Sequence, residues 1–100
     1  MPLCLVLHDL PSAGIEAVQA ALWEVSDSHW SPTSGSFAVS TGVSVPYLCS
    51  HLERALGRAG VDGAIMVIEA GAHAAACGVP ENGMAWIRDQ IDEFWGTAPA

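Results

Sequence analysis

The chain of 100 residues has room for one hydrophobic core, and we predict a single domain over residues 1–100. Because 51% of the residues are hydrophobic and only 14% are charged, apolar surface is expected to be hidden against a partner, and we predict a homodimer or a complex. Eleven acidic residues, three arginines and no lysine give a net charge of −8, which argues against tight independent binding of nucleic acid, since such binding needs cations that neutralise phosphates.

Cysteine content and hydropathy predict the compartment. The three cysteines include no CxxC pair, which argues against a disulfide framework and favours a reducing environment. No apolar run approaches the roughly 20 residues of a membrane-spanning helix. The short apolar N-terminus lacks the basic flank of a signal peptide. We therefore expect a cytoplasmic protein that does not enter a membrane.

The first half of the chain predicts a strand, a helix and a hairpin. Residues 3–7 are apolar on both alternating faces, as in a central strand covered on both sides. "DLPSAG" follows as a turn, with Ser12 as the expected helix N-cap. "SDSHWSPTSGSFAVSTG" then indicates two strands around a turn at 33–35, and Pro32 predicts that the first of them is an edge strand. The apolar positions of the intervening helix recur at three- and four-residue steps: Ile15, Val18, Leu22 and Val25.

The second half predicts a helix, a strand, a loop and a last helix. Ser44 is the expected N-cap of the second helix, and Pro46 lies in its first turn, where a missing N–H costs little. "VDGAIMVIEAG" predicts a fourth strand, and the small-residue segment 70–83 predicts a loop. The last helix is expected from Met84 to Trp95. The core positions of the second helix are Leu48, Leu52, Ala55, Leu56 and Ala59.

The order of these elements predicts the fold. Strand–helix–strand–strand–helix–strand is the split βαβ, ferredoxin-like arrangement of the α+β class, here βαββαβ plus a C-terminal helix. Right-handed crossovers give a four-stranded antiparallel sheet of order 4-1-3-2 with both crossover helices on one face. The other face carries either Cys4 and Val6 or the set Leu3, Leu5 and Leu7, depending on register. It then needs cover from the C-terminal helix or from a second subunit.

Several short motifs together resemble the small SinR-like family. They are "LHDL", "SHWSPTSGSFAVST", "DGAIMVIEAG" and "GVPENGMAWI", and they follow the order and approximate spacing of that family over nearly the whole chain. SinR-like proteins are similar to the CRISPR adaptation nuclease-like proteins and to the antitoxin endoribonuclease GhoS. The chain departs from the family at His8, where the family has tyrosine, and in its scarcity of basic residues.

The resemblance implies a ferredoxin-like homodimer associated with defence or toxin–antitoxin systems, with a weak or vestigial metal-dependent (ribo)nuclease site. In the CRISPR relatives the aspartate that ends strand one holds the metal, and the matching residue here is Asp9. Asp9 is therefore the expected catalytic residue and metal ligand, with Mg²⁺ or Mn²⁺ as the implied ion.

The predicted topology suggests further ligands. We expect Asp9, Asp62 and Thr41 to meet at one sheet edge, where both crossover helices begin, and carboxylate oxygens suit Mg²⁺ or Mn²⁺. His8 should point to the opposite face from Asp9. The alternative reading makes Asp9 a turn residue that accepts backbone N–H bonds within "DLPSAG", and Asp62 part of an ordinary Asp-Gly turn.

A competing hypothesis needs no catalysis. The acidic surface suits an inhibitor or nucleic-acid mimic that binds a basic protein partner, although many acidic surfaces only confer solubility, and a purely structural subunit is a third alternative. Asp89, Asp92 and Glu93 are the expected acidic contacts, and Trp30 and Trp95 the expected interface anchors. His29 is expected to be an exposed strand-edge residue or a partner contact.

Overall fold

The computed structural model describes residues 3–71, 78 and 83–89. The elements form an α+β domain with a four-stranded antiparallel sheet, as predicted, in a ferredoxin-like order. The last helix, α3, spans residues 83–89. The elements before it are β1 (Leu3–His8), α1 (Ser12–Val25), β2 (Ser26–Trp30), β3 (Ser36–Thr41), α2 (Val45–Ala59) and β4 (Ile65–Glu69).

The sheet has the predicted strand order, β2-β3-β1-β4. All three strand pairs are antiparallel, and β1 lies between β3 and β4. In the register, Leu7 lies opposite Ser36 on β3 and opposite Met66 on β4. The end of β1 therefore meets the beginnings of both neighbouring strands. β2 is an edge strand, and the prediction from Pro32 is confirmed.

The two long helices begin in different ways. The sequence prediction that Ser12 is the N-cap of α1 was wrong, because Ser12 is the first helical residue and Pro11 occupies the cap without a side-chain hydrogen bond. Ser44 caps α2 as predicted, since its hydroxyl oxygen accepts the Tyr47 N–H at 3.2 Å. The helix α2 ends at Gly60, whose φ of 68° is the left-handed conformation that glycine adopts without strain.

The main core lies between the sheet and the two long helices. Cys4 and Val6 on β1 point toward α1 and α2, together with Phe37 and Val39 on β3. Residues of the helices that complete this core are Val18, Ala21, Leu22, Leu48, Leu52, Ala55 and Leu56. Ala59, which was also expected in the core, is exposed at the end of α2.

The opposite face of the sheet is covered in part by α3. Ile87 packs on Leu3 and Ala38, and Trp30 and Trp86 lie around this second cluster. Of the two covers that the sequence left open, the C-terminal helix and a second subunit, α3 thus provides part. It resolves the register question, because the covered face is the one that carries Leu3 and Leu5.

An apolar patch remains exposed on this second face. Leu7, Met66 and Ile68 are 41%, 59% and 42% exposed. They share a face because Leu7 lies opposite Met66, and Ile68 lies opposite Leu5, across an antiparallel strand pair. We call Leu7, Met66 and Ile68 the open-face patch.

Several sequence predictions fall outside the described residues. They concern Trp95, Asp92 and Glu93, the helix beyond residue 89, and most of the loop predicted at 70–83. Among the helices that the structure describes, each is too short or too polar to cross a bilayer.

Candidate functional site

Asp9 fastens the end of β1 to the start of β4. Its main-chain N–H donates to the Ala64 carbonyl at 3.3 Å, and its carboxylate Oδ1 accepts the Ala64 N–H at 2.7 Å. The side chain thus provides the acceptor at the point where the ladder between the two strands ends. A hydrogen bond to a charged acceptor is stronger than a neutral one. The sequence alternative of a structural carboxylate was right in kind, but its partner is Ala64 and not an N–H of "DLPSAG".

His8 makes the local turn bond that the sequence alternative assigned to Asp9. Its Nδ1 accepts the Leu10 N–H at 3.2 Å, which places the proton of the neutral ring on Nε2. The ring stacks on Phe37 with centroids 5.4 Å apart, on the side of the sheet that faces the helices. The side chains of His8 and Asp9 therefore accept hydrogen bonds from two different backbone segments. This agrees with the alternation of neighbouring side chains between the two faces of a strand.

Asp62 lies at the same sheet edge as Asp9, as expected. It is exposed and precedes Gly63, where an added Cβ would meet the Leu10 side chain at a separation no real Cβ shows. The same Cβ would lie 3.5 Å from Asp9 Oδ1. A larger residue at position 63 would require the Leu10 side chain to move.

Thr41 does not join this edge, and that prediction was wrong. Because β1 and β3 are antiparallel, with Leu3 opposite Ser40, the end of β3 lies beside the start of β1. Thr41 is buried there, and its hydroxyl donates to the Val25 carbonyl at 2.6 Å. The expectation that both crossover helices begin at the Asp9 edge fails for the same reason, because only α1 begins there and α2 ends there.

The described carboxylates at this edge would supply only part of the coordination of a metal ion. No three histidine, cysteine or acidic side chains come together in the part of the chain that the structure describes. Asp9 and Asp62 are the carboxylates at this edge, and one oxygen of Asp9 already accepts the Ala64 N–H. The donor set is too small for the six ligands that Mg²⁺ takes unless waters or a partner supply the rest.

A shallow pocket opens beside Asp9. It has a volume of about 320 Å³, and six residues line it: Leu7, His8, Asp9, Ala64, Ile65 and Met66. Two of these, Leu7 and Met66, belong to the open-face patch. The pocket therefore joins an apolar surface to a carboxylate.

His29 belongs to an aromatic cluster at the other side of the sheet. Its ring meets Trp23 edge-on at 4.8 Å and Phe37 at 6.0 Å. It is half-buried and not exposed as expected, and its Nδ1 is buried with no hydrogen-bond partner in the structure. Burial lowers the pKa of His29 below 6.5, because a charged ring would lose its hydration there.

His51 has a role that sequence reasoning missed. Its Nε2 lies 3.1 Å from the Ala21 carbonyl and 3.4 Å from Glu24 Oε1, so it connects α2 to α1. No motif signals this contact, since the residues are far apart in the chain. His51 also lies one turn after Tyr47 on α2, and the two rings stack with their centroids 6.2 Å apart.

The predicted interface residues are only partly described. Trp30 is half-buried, and its ring lies against Gly83 at the start of α3. Asp89 is exposed on α3. The proposed interface roles of these two residues stay predictions, and Trp95, Asp92 and Glu93 lie outside the described residues.

Comparisons with known proteins assign no family to this chain. No family model, curated protein or solved structure matches this chain. The resemblance to SinR-like proteins therefore stays a prediction.

Two substitutions separate the structural role of Asp9 from its charge. Asp9→Ala removes the acceptor of the Ala64 N–H, and we expect a loss of about 0.5–1.5 kcal/mol in the free energy of unfolding. Asp9→Asn keeps an amide oxygen as acceptor and should lose less. Denaturant unfolding measures both, and equal losses would contradict a structural hydrogen bond.

The buried ring of His29 predicts a pH dependence. Its folded-state pKa lies below the unfolded value of 6.5, so the unfolded chain takes up the proton first. The contribution of His29 is therefore complete above pH 6.5 and is lost as pH falls through the folded pKa. Unfolding free energies measured from neutral to acidic pH should fall less steeply for His29→Gln than for the wild type. His51→Gln, which replaces a different histidine in the same way, is the control. Parallel curves for His29→Gln and wild type would refute the assignment.

Proposed function

We propose that this chain is a small acidic interaction protein whose open-face patch binds a basic protein partner. The observation that carries the proposal is the patch itself, because three large apolar side chains are exposed side by side on a sheet face. Single exposed apolar residues are ordinary, whereas adjacent ones at a polar border mark interaction sites. Neither metal nor cofactor is needed for this role.

The charge distribution favours a basic partner. The chain has a net charge of −8, and Asp9 and Asp62 lie at the end of the sheet beside the patch. Arg54 and Arg58 are on α2, on the other side of the sheet, and Arg88 is on α3. A basic partner would approach an attractive field, whereas a second copy would meet like charge. Inhibition of a basic protein, or mimicry of its nucleic acid, fits this surface.

The patch can be tested with a matched control. The double variant Met66→Ser/Ile68→Ser removes two of the three apolar side chains of the open-face patch. The control Tyr47→Ser removes an exposed ring on α2. Binding to a basic partner captured from the source cells should fall at least tenfold for the double variant, a loss of about 1.4 kcal/mol, and stay unchanged for Tyr47→Ser. It should also weaken as salt is added.

Two results would contradict this proposal. Binding that survives the double variant would place the interface elsewhere. Sedimentation of the wild type as a homodimer that dissociates in the double variant would make a second copy the occupant of the patch, in agreement with the sequence expectation of a homodimer.

A second candidate function rests on the exposed pair Asp9 and Asp62 at one sheet edge. With the SinR-like resemblance, this pair supports a defence- or toxin–antitoxin-associated phosphodiesterase that uses Mg²⁺ or Mn²⁺. The remaining ligands would then come from water or from the Asp9 of a partner copy. The Ala64 N–H bond engages Oδ1 of Asp9 and leaves the second oxygen for a metal ion.

The nuclease candidate has its own test. RNA and DNA substrates are incubated with Mg²⁺, Mn²⁺ or a chelator, using the wild type, Asp9→Asn and Asp62→Asn. A nuclease would cleave only with metal and would lose activity in Asp9→Asn, even though that variant keeps an acceptor for Ala64. Cleavage that is absent under every condition, or that persists in Asp9→Asn, would remove this candidate.

A further inference from the structure

We infer that the pocket beside Asp9 receives a lysine side chain of the partner, with the ammonium group at the Asp9 carboxylate. This inference deepens the proposed function, on which it rests, by naming the chemical group that the surface recognises.

The lining of the pocket matches the two parts of a lysine side chain. Leu7 and Met66 provide apolar walls along the pocket, and Asp9 provides negative charge at its rim. A lysine buries its methylene chain on apolar surface while it keeps its charged end in water. Asp9 is exposed, so the ammonium group would stay hydrated at the rim.

The charge of the pocket disfavours anionic ligands. Its volume of about 320 Å³ is at the small end of the range for ligand sites, and it is open and not enclosed. One extended side chain has room to lie in such a space, whereas a nucleotide would meet a carboxylate where its phosphates need cations. A positively charged side chain is the occupant that the charge of Asp9 favours.

The hydrogen bond of Asp9 favours lysine over arginine. Oδ1 is already held by the Ala64 N–H at 2.7 Å. A guanidinium group gains most from two parallel bonds to both carboxylate oxygens. An ammonium group is a compact charge that needs one oxygen, and the second oxygen of Asp9 is enough for it.

The test uses the full chain and short, otherwise identical peptides that carry a central lysine, acetyl-lysine or arginine. Binding is followed by NMR shifts of the Leu7 and Met66 methyl groups, with the Tyr47 ring as a distant reference. We expect the lysine peptide to shift the pocket signals and to bind more tightly than the arginine peptide. Acetylation should abolish the shifts, because it removes the charge.

Variants of Asp9 complete the test. Asp9→Asn keeps the acceptor for Ala64 and removes the charge, so it should weaken the lysine peptide about three- to fivefold, whereas Glu53→Gln on α2 should have no effect. Equal binding of the acetyl-lysine peptide, tighter binding of arginine, no effect of Asp9→Asn, or no pocket shifts at the highest soluble peptide concentration would each overturn the inference. If a basic partner still requires Met66 and Ile68 in those cases, the proposed function stands and only the lysine pocket fails.

Discussion

The hydrogen bond between the Ala64 N–H and the Asp9 carboxylate is the constraint on which the candidate site depends. It ties the loop before β4 to the end of the central strand, and at 2.7 Å it is a short charge-assisted bond. With β4 held in register, Met66 and Ile68 point to the same face as Leu7. The Asp9 carboxylate thus adds to the five-residue pairing of β1 with β4 at the edge beside the open-face patch.

The distribution of apolar residues explains why a surface remains open. One side of the sheet is covered by two long helices, and its core is continuous. The other side is covered by α3 over Leu3 and Ala38, while Leu7, Met66 and Ile68 stay exposed. An exposed apolar surface costs solubility, and the net charge of −8 offsets this cost by repulsion between copies. The same two features, apolar contact area and negative charge, define a surface for a basic protein.

Sequence reasoning was successful where one periodic pattern determines one element. The apolar run of β1, the helical spacing in α2 and the Ser44 cap predicted these elements, and the order of the elements predicted the sheet topology. It failed where long-range geometry decides, as for Thr41, whose strand runs antiparallel to β1 and ends at the opposite edge. It also missed the contact of His51 with α1 and the burial of His29, because these depend on which helix faces pack together. For Asp9, the residue type predicted a carboxylate that accepts backbone N–H bonds, but only the fold identifies the Ala64 N–H as the donor.

Our central proposal is that Asp9 serves as a structural acceptor beside a protein-binding surface rather than as a metal ligand. The most direct measurement is the broadening of backbone amide NMR signals when Mn²⁺ is titrated into the wild-type protein. We expect weak broadening near Ala64 that is no greater than near other exposed carboxylates, such as Glu16 and Glu53. Selective broadening of the Ala64 and Leu10 amides at a Mn²⁺ concentration that leaves those other amides unaffected, and its loss in Asp9→Asn, would contradict the claim and make Asp9 a metal ligand.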